Sequence, residues 1–296
     1  MTVGVIFRLL AVMLLWASCF PLITLGLDLV PHLAFAAMRA SLAGFCLILI
    51  GLLFRRPIPR SGRSWALITL VGFGATSLGF LGMFHAAEFV SPGLATVIAN
   101  AQPLLAALLA HAVLKEKLTA FGKLGLITGF AGISAIAWPG LAAGTEPDYA
   151  LGITYIVLAA TGVSIGNIAI KRLTGEADVV MAMGFQLLIG AVPLMFLSIF
   201  TEDISALTWS ADFVLILGVL AIFGSSLAFW LWFTALENVE LNRANAFTFL
   251  VPIFGLVIGS TLFDEQLVWP QAIGIVLVLA GIFFVQHGVR GKVSIQ

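Results

Sequence analysis

Asn100, Gln102 and Pro103 interrupt one apolar run, VIANAQPLLAALLAHAVLKEKL (97–118). Asn245, Thr248 and Pro252 interrupt a second, NAFTFLVPIFGLVIGSTLFDEQL (245–267). Amides and hydroxyls of this kind break no bonds; they give and accept hydrogen bonds. A proline adds acceptors, because its ring nitrogen cannot bond the carbonyl four residues back. Pro103 and Pro252 therefore withhold that bond from the carbonyls of Ala99 and Thr248. In lipid such groups are costly, so they belong against protein or a wet cavity. The spacing predicts a pair of kinked helices whose polar groups line a central pathway. The alternative is a packing kink whose polar side chains bond between helices.

Other residues could add to such a pathway. Ser77, Phe80 and Phe84 share one helical face, and Ser226, Phe229 and Phe233 repeat the pattern. Two matched stripes could wall an amphipathic cavity for apolar or aromatic substrates, or simply pack helices. Trp16, Trp230 and Trp232 are aromatic candidates of the same kind, or interfacial anchors. Arg39 is a cation well inside an apolar run, costly there without a partner. It could receive a substrate carboxylate, or pair with carbonyls and an acid such as Asp28 or Glu88. Asn167 and Gln186 place amides at depth, explained equally well by interhelical bonding.

His85 and His111 lie toward the ends of apolar runs, and no Asp or Glu falls deep inside one. That argues against a carboxylate proton relay and against a cation site with a charged ligand. HExxH, GxxxxGK and CxxC are all missing from the sequence. No catalytic residue, metal or cofactor is expected, and a membrane enzyme or lipid-handling protein is the less favoured class.

The elements that must position these residues are apolar helices. The 296 residues are 61% hydrophobic and 9% charged, against roughly 25% charged in an average soluble domain. Ten apolar segments of membrane-spanning length follow one another, at about 6–26, 33–54, 65–86, 92–114, 121–138, 150–170, 179–200, 212–235, 242–262 and 270–288. The first is expected to be a retained helix rather than a signal peptide. Cys19 and Cys46 both lie in apolar runs, so no disulfide framework is expected. A net charge of +0 gives no reason for a nucleic-acid partner; membrane lipid and a small molecule are the expected partners, and the oligomeric state stays open.

Lys and Arg orient the chain, since cytoplasmic loops hold positive charge. Arg55, Arg56, Arg60 and Arg63 follow segment two; Lys115, Lys117 and Lys123 follow four; Lys171 and Arg172 follow six; Arg243 follows eight; Arg290 and Lys292 follow ten. The alternate loops carry only acids, among them Asp28, Glu88, Glu202, Asp203, Asp264 and Glu265. Both termini are therefore expected in the cytoplasm.

A shift of 149 residues brings Pro103 onto Pro252, Glu116 onto Glu265, Gly125 onto Gly274 and Gly132 onto Gly281. Between 77 and 133, fifteen of 57 positions are then identical, about three times what composition alone gives, so the chain reads as an internal repeat. Its units are about 1–140 and 149–290. Five segments per unit is an odd number, so the second copy would be inverted, an arrangement secondary transporters build around a central site. The expected fold is all-α and polytopic, with ten transmembrane helices in two inverted five-helix repeats. Gly125 with Gly129, and Gly274, Gly281 and Gly288, would allow close helix contact, within the chain or in a dimer.

Ten segments, the five-plus-five inversion and the paired Pro103…Glu116 and Pro252…Glu265 stretches resemble the EamA-type exporters of the drug/metabolite transporter superfamily. Trp16 with Pro21 in segment one, and Arg39 in segment two, are also similar to that family's pattern. Segment six departs from it: GVSIGNIAIK (162–171) stands where segment one has Trp16 and Pro21. The resemblance implies an inner-membrane carrier exporting amino acids or related metabolites by alternating access. It also implies that segments five and ten are peripheral. YddG-like amino-acid exporters are the nearest sub-group, and multidrug efflux is the alternative of the same class.

Overall fold

In a computed structural model the described residues are 2–100, 102, 104–105, 119–143, 148–173, 175–236 and 246–288, and every regular element among them is helical. The order is α1 (Val3–Ala17), α2 (Cys19–Leu27), α3 (His32–Leu53), α4 (Gly62–Val71), a π-helical stretch (Gly72–Leu78), α5 (Gly79–Ala86) and α6 (Pro92–Ala99). Then come α7 (Ala120–Ala143), α8 (Tyr149–Leu173), α9 (Val179–Thr201), a 3-10 turn (Ile204–Ala206) and α10 (Ala211–Gly218). A second π-helical stretch (Val219–Leu227), α11 (Ala228–Leu236), a 3-10 turn (Ala246–Phe249), α12 (Leu250–Leu262) and α13 (Trp269–Gly288) complete it.

Among the described residues, six helical stretches are long and apolar enough to cross a membrane: Val3–Leu27, His32–Leu53, Gly62–Ala86, Tyr149–Ile170, Val179–Thr201 and Ala211–Trp232. They match segments one to three and six to eight. Shorter apolar helices, Ala120–Ile136, Leu250–Leu262 and Trp269–Phe284, match segments five, nine and ten. Segment four yields α6; residues 101, 103 and 106–118 lie outside the described residues. Phe45, Phe196, Leu215 and Val276 are among many large apolar side chains exposed on the outside, as lipid rather than water would favour.

Proline chemistry shapes two of the segments. Pro21 has no N–H for the carbonyl of Ala17, and segment one breaks there into α1 and α2. Pro252 stands at the third residue of α12, just after the 3-10 turn Ala246–Phe249. It therefore marks a junction between two helix types rather than a bend within one continuous helix, because the turn it would otherwise distort has already tightened.

Close packing depends on glycine, and the tightest contacts show how neighbouring helices run. A Cβ on Gly132 would lie 2.6 Å from the Gly274 carbonyl, and one on Gly281 would lie 2.7 Å from the Gly125 carbonyl. Segments five and ten therefore cross antiparallel, within the chain. Segments two and seven do the same through Gly44 and Gly184, and segments four and nine through Thr96 and Gly255. The 149-residue shift also exchanges the remaining large interfaces. Segment three packs on six as eight packs on one, and three packs on seven as eight packs on two. Nearly all of this packing joins residues before 143 to residues after 149.

Two serines hold equivalent positions in that exchange. Ser77 donates to the Gly190 carbonyl at 2.8 Å, linking segments three and seven. Ser226 donates to the Ala43 carbonyl at 3.0 Å, linking eight and two. Each bond is worth about 1 kcal/mol. Ser77→Ala and Ser226→Ala are each expected to lower the melting temperature in detergent by similar amounts, and additively when combined. A drop confined to one of them would mean the two joints are not equivalent.

Candidate functional site

α3 begins at His32, and Arg39 lies seven residues on, about 10 Å along the helix. The side chain is 3% exposed. Its Nε donates to Ser225 Oγ at 3.2 Å and its Nη2 to Cys19 Sγ at 3.3 Å. The guanidinium carbon sits 4.6 Å from the centre of the Phe80 ring and 5.9 Å from that of Phe84. Gly224 leaves room for this, since a Cβ there would fall 3.1 Å from Cys19 Sγ and 3.6 Å from Arg39 Nη2. No carboxylate lies within ion-pair distance among the described residues. Glu88 instead meets His32 Nδ1 at 3.0 Å, and Asp28 makes no described ion pair. The acid partner that the sequence allowed for Arg39 is thus absent from its surroundings.

Trp16 lies one turn before Cys19 on segment one. Its ring meets Phe229 edge-on at 6.5 Å and Trp232 at 5.3 Å, and all three rings are half-buried or partly exposed rather than sealed. Trp230 turns outward, 47% exposed. The matched stripes therefore divide: Phe80 lies against Arg39 and Phe229 against Trp16, whereas Ser77 and Ser226 are committed to helix packing. Phe84 packs edge-on against Phe35 at 5.0 Å.

The amides divide too. Gln186 is buried and accepts from Thr76 Oγ1 at 2.7 Å, an interhelical bond. Asn100 is half-buried, its Nδ2 donating to the Thr96 carbonyl at 2.8 Å. Gln102 is half-buried, its backbone carbonyl accepting from Ser164 Oγ at 3.4 Å, and Thr248 is half-buried in the 3-10 turn. Asn167 lies on α8 and Phe233 on α11, but their side chains, like Asn245 and Pro103, lie outside the described residues.

The acid-bearing end of the bundle is tied across the chain. Glu202 accepts from the N–H groups of Leu33 at 2.7 Å and Ala34 at 2.9 Å, capping α3. Glu265 accepts from the Gly93 N–H at 2.8 Å and Ser91 Oγ at 3.0 Å, capping α6. A carboxylate on a helix N-terminus is stabilised by the dipole and by charge-assisted bonds. Asp264 takes φ 51°, which turns the chain so that the Glu265 N–H reaches the Gly259 carbonyl at 3.3 Å. Gly93 and Gly259 give the carboxylate its space, since a Cβ on either would lie within 3 Å of it. At the other end, Arg56–Asp178 at 3.7 Å and Arg63–Glu176 at 3.4 Å involve half-exposed or exposed arginines, pairs of little energetic weight.

Comparison with known proteins identifies the chain's relatives. The model of the EamA-like transporter family matches twice, over residues 3–138 and 150–286. The chain belongs to the EamA-like transporter family. It is accordingly a multi-pass membrane transporter. An uncharacterized transporter of Synechocystis is 27% identical over 88% of this chain and 83% of its own. A probable amino-acid metabolite efflux pump of Escherichia coli K12 is 26% identical over 97% of this chain and 96% of its own. A solved crystal structure shares the fold with a TM-score of 0.65, at 19% identity and over 96% of each chain.

Within this family member, sequence reasoning named Glu202 only as a loop acid and did not single out Ser225 or the paired π-helical stretches. The stretches 72–78 and 219–227 overlap under the repeat shift, and such wide turns often mark functional positions. Their one visible trace is the paired hydroxyl doublet, Thr76–Ser77 and Ser225–Ser226.

Proposed function

We propose that this transporter exports amino acids or related small metabolites across the cytoplasmic membrane by alternating access. In this reading 1–140 and 149–290 are inverted five-helix repeats around a central pathway, and both termini are cytoplasmic. The acid-bearing end is then external, and the Glu202 and Glu265 caps hold it closed. The observation that carries the mechanism is one joint built twice. Equivalent π-helical stretches in segments three and eight each place a serine on the carbonyl of a helix from the other half. Interlocked halves leave little freedom for one repeat to rock rigidly against the other. Bending at the two π-helical stretches opens one end while closing the other. The efflux-pump relatives support amino-acid metabolites as the substrate class.

The test is efflux of labelled amino acids from proteoliposomes containing the purified chain. Faster loss than from protein-free vesicles is expected; loss at the protein-free rate for every amino acid would overturn the reading. Pro252→Ala is expected to wind the 3-10 turn Ala246–Phe249 into α12. Export should slow severalfold while the melting temperature falls by only a few degrees. Equal loss of both would mean Pro252 serves packing alone.

A further inference from the structure

We infer that Arg39 and the rings of Phe80, Trp16 and Phe229 form one subsite for a carboxylate with an apolar or aromatic body. The inference deepens the transporter reading and rests on it. A guanidinium presents five N–H donors in a planar fork matched to a carboxylate. Here Nε is committed to Ser225, Nη2 has only the weakly accepting thiol of Cys19, and Nη1 is buried with no partner. The edge formed by Nη1 and Nη2 is therefore the under-bonded one, and it suits a bidentate carboxylate. Burying a cation without an acid is costly. The Phe80 face offsets part of that cost, and an arriving carboxylate would offset more.

The rings set the shape of the ligand. On segment one, Trp16 precedes Cys19 by three residues, and on segment eight, Phe229 follows Ser225 by four, so the backbone of each is set about 5–6 Å along its helix from the residue that bonds the guanidinium. Both lie on its basic-end side, because segment one runs toward the acidic end and segment eight away from it. A bound molecule would point its carboxylate toward the acidic end and lay its body against the Trp16 and Phe229 rings, which themselves meet edge to face. Amines, amides and esters of the same body lack the group that Arg39 requires.

The experiment measures the protein's melting temperature in detergent with L-phenylalanine, phenylacetate, acetate, L-phenylalaninamide and phenethylamine. The two aromatic carboxylates should raise it at concentrations where the amide, the amine and acetate do not. Equal protection by the amide, or none by either aromatic carboxylate, would overturn the subsite; this series needs no mutant. Arg39→Gln should weaken the aromatic carboxylates roughly 10- to 100-fold, with Arg39→Lys recovering part of the loss. Trp16→Ala should shrink the advantage of phenylacetate over acetate. Transport separates the two readings. Export of phenylalanine and its amide at equal rates would overturn the subsite and leave the exporter. Protection by the carboxylates without export of any amino acid would do the reverse.

Discussion

Gly162→Leu is expected to abolish the assembled protein. A Cβ at 162 would stand 2.4 Å from the Gly74 carbonyl and 2.7 Å from Leu78 Cβ, and one at 74 would stand 2.7 Å from the Gly162 carbonyl. Overpacking a core costs about 1–3 kcal/mol when side chains can move aside. Backbone cannot, so the cost here belongs at or beyond the top of that range, a large share of a typical 5–15 kcal/mol total. Fluorescence-detected size exclusion should show the folded peak lost or greatly reduced. Gly218→Ala is the control: nothing lies within 4 Å of its Cβ position, and alanine is the better helix former by about 0.5–1 kcal/mol. That variant should run as wild type or slightly more stable. A Gly162→Leu protein with a wild-type peak would mean that segments three and six do not meet so closely.

Glu265→Gln should loosen the acid-bearing end. The amide keeps one acceptor but loses the charge that strengthens both bonds to Gly93 and Ser91. Hydrogen bonds to a charged group contribute about 1.5–3 kcal/mol, and 1.4 kcal/mol moves a two-state equilibrium about tenfold. A cysteine placed at Thr96, buried where segments four and nine meet, reports the change. Its labelling by a membrane-impermeant maleimide added outside, after subtracting that of the protein without that cysteine, should be at least tenfold faster with Glu265→Gln than with Glu265 intact. Glu202→Gln should act in the same direction through α3. Unchanged labelling with lowered melting temperature would reduce Glu265 to a helix cap with no part in closure.

The sequence makes the large-scale features legible because they are properties of composition and length. Apolar segments, sorted charges and the 149-residue repeat are all visible in the order of the residues. Arg39 is legible as a cation at depth, but not its surroundings: Ser225 is 186 residues away in the chain, and no local pattern announces such a contact. The stripe containing Ser77 misleads for a specific reason. The serine lies in the π-helical stretch and Phe80 in α5, and the wider turn between them breaks the single face that α-helical spacing implies. The serine reaches Gly190 while the ring reaches Arg39. Pro252 is legible as an interruption, but whether it bends a helix or begins one depends on the 3-10 turn before it. The caps at Glu202 and Glu265 escape notice because each acid meets a helix end that only the folded chain brings near.

The interleaving of the two halves bears on how the molecule is made. A nascent chain that has emerged as far as residue 143 holds surfaces whose counterparts do not yet exist: α3 waits for α9, and α7 for α13. The glycine crossings at 74, 132 and 44 close only when 162, 274 and 184 arrive. Insertion can proceed helix by helix, but compaction cannot proceed half by half, so maturation is deferred until α13 enters the bilayer.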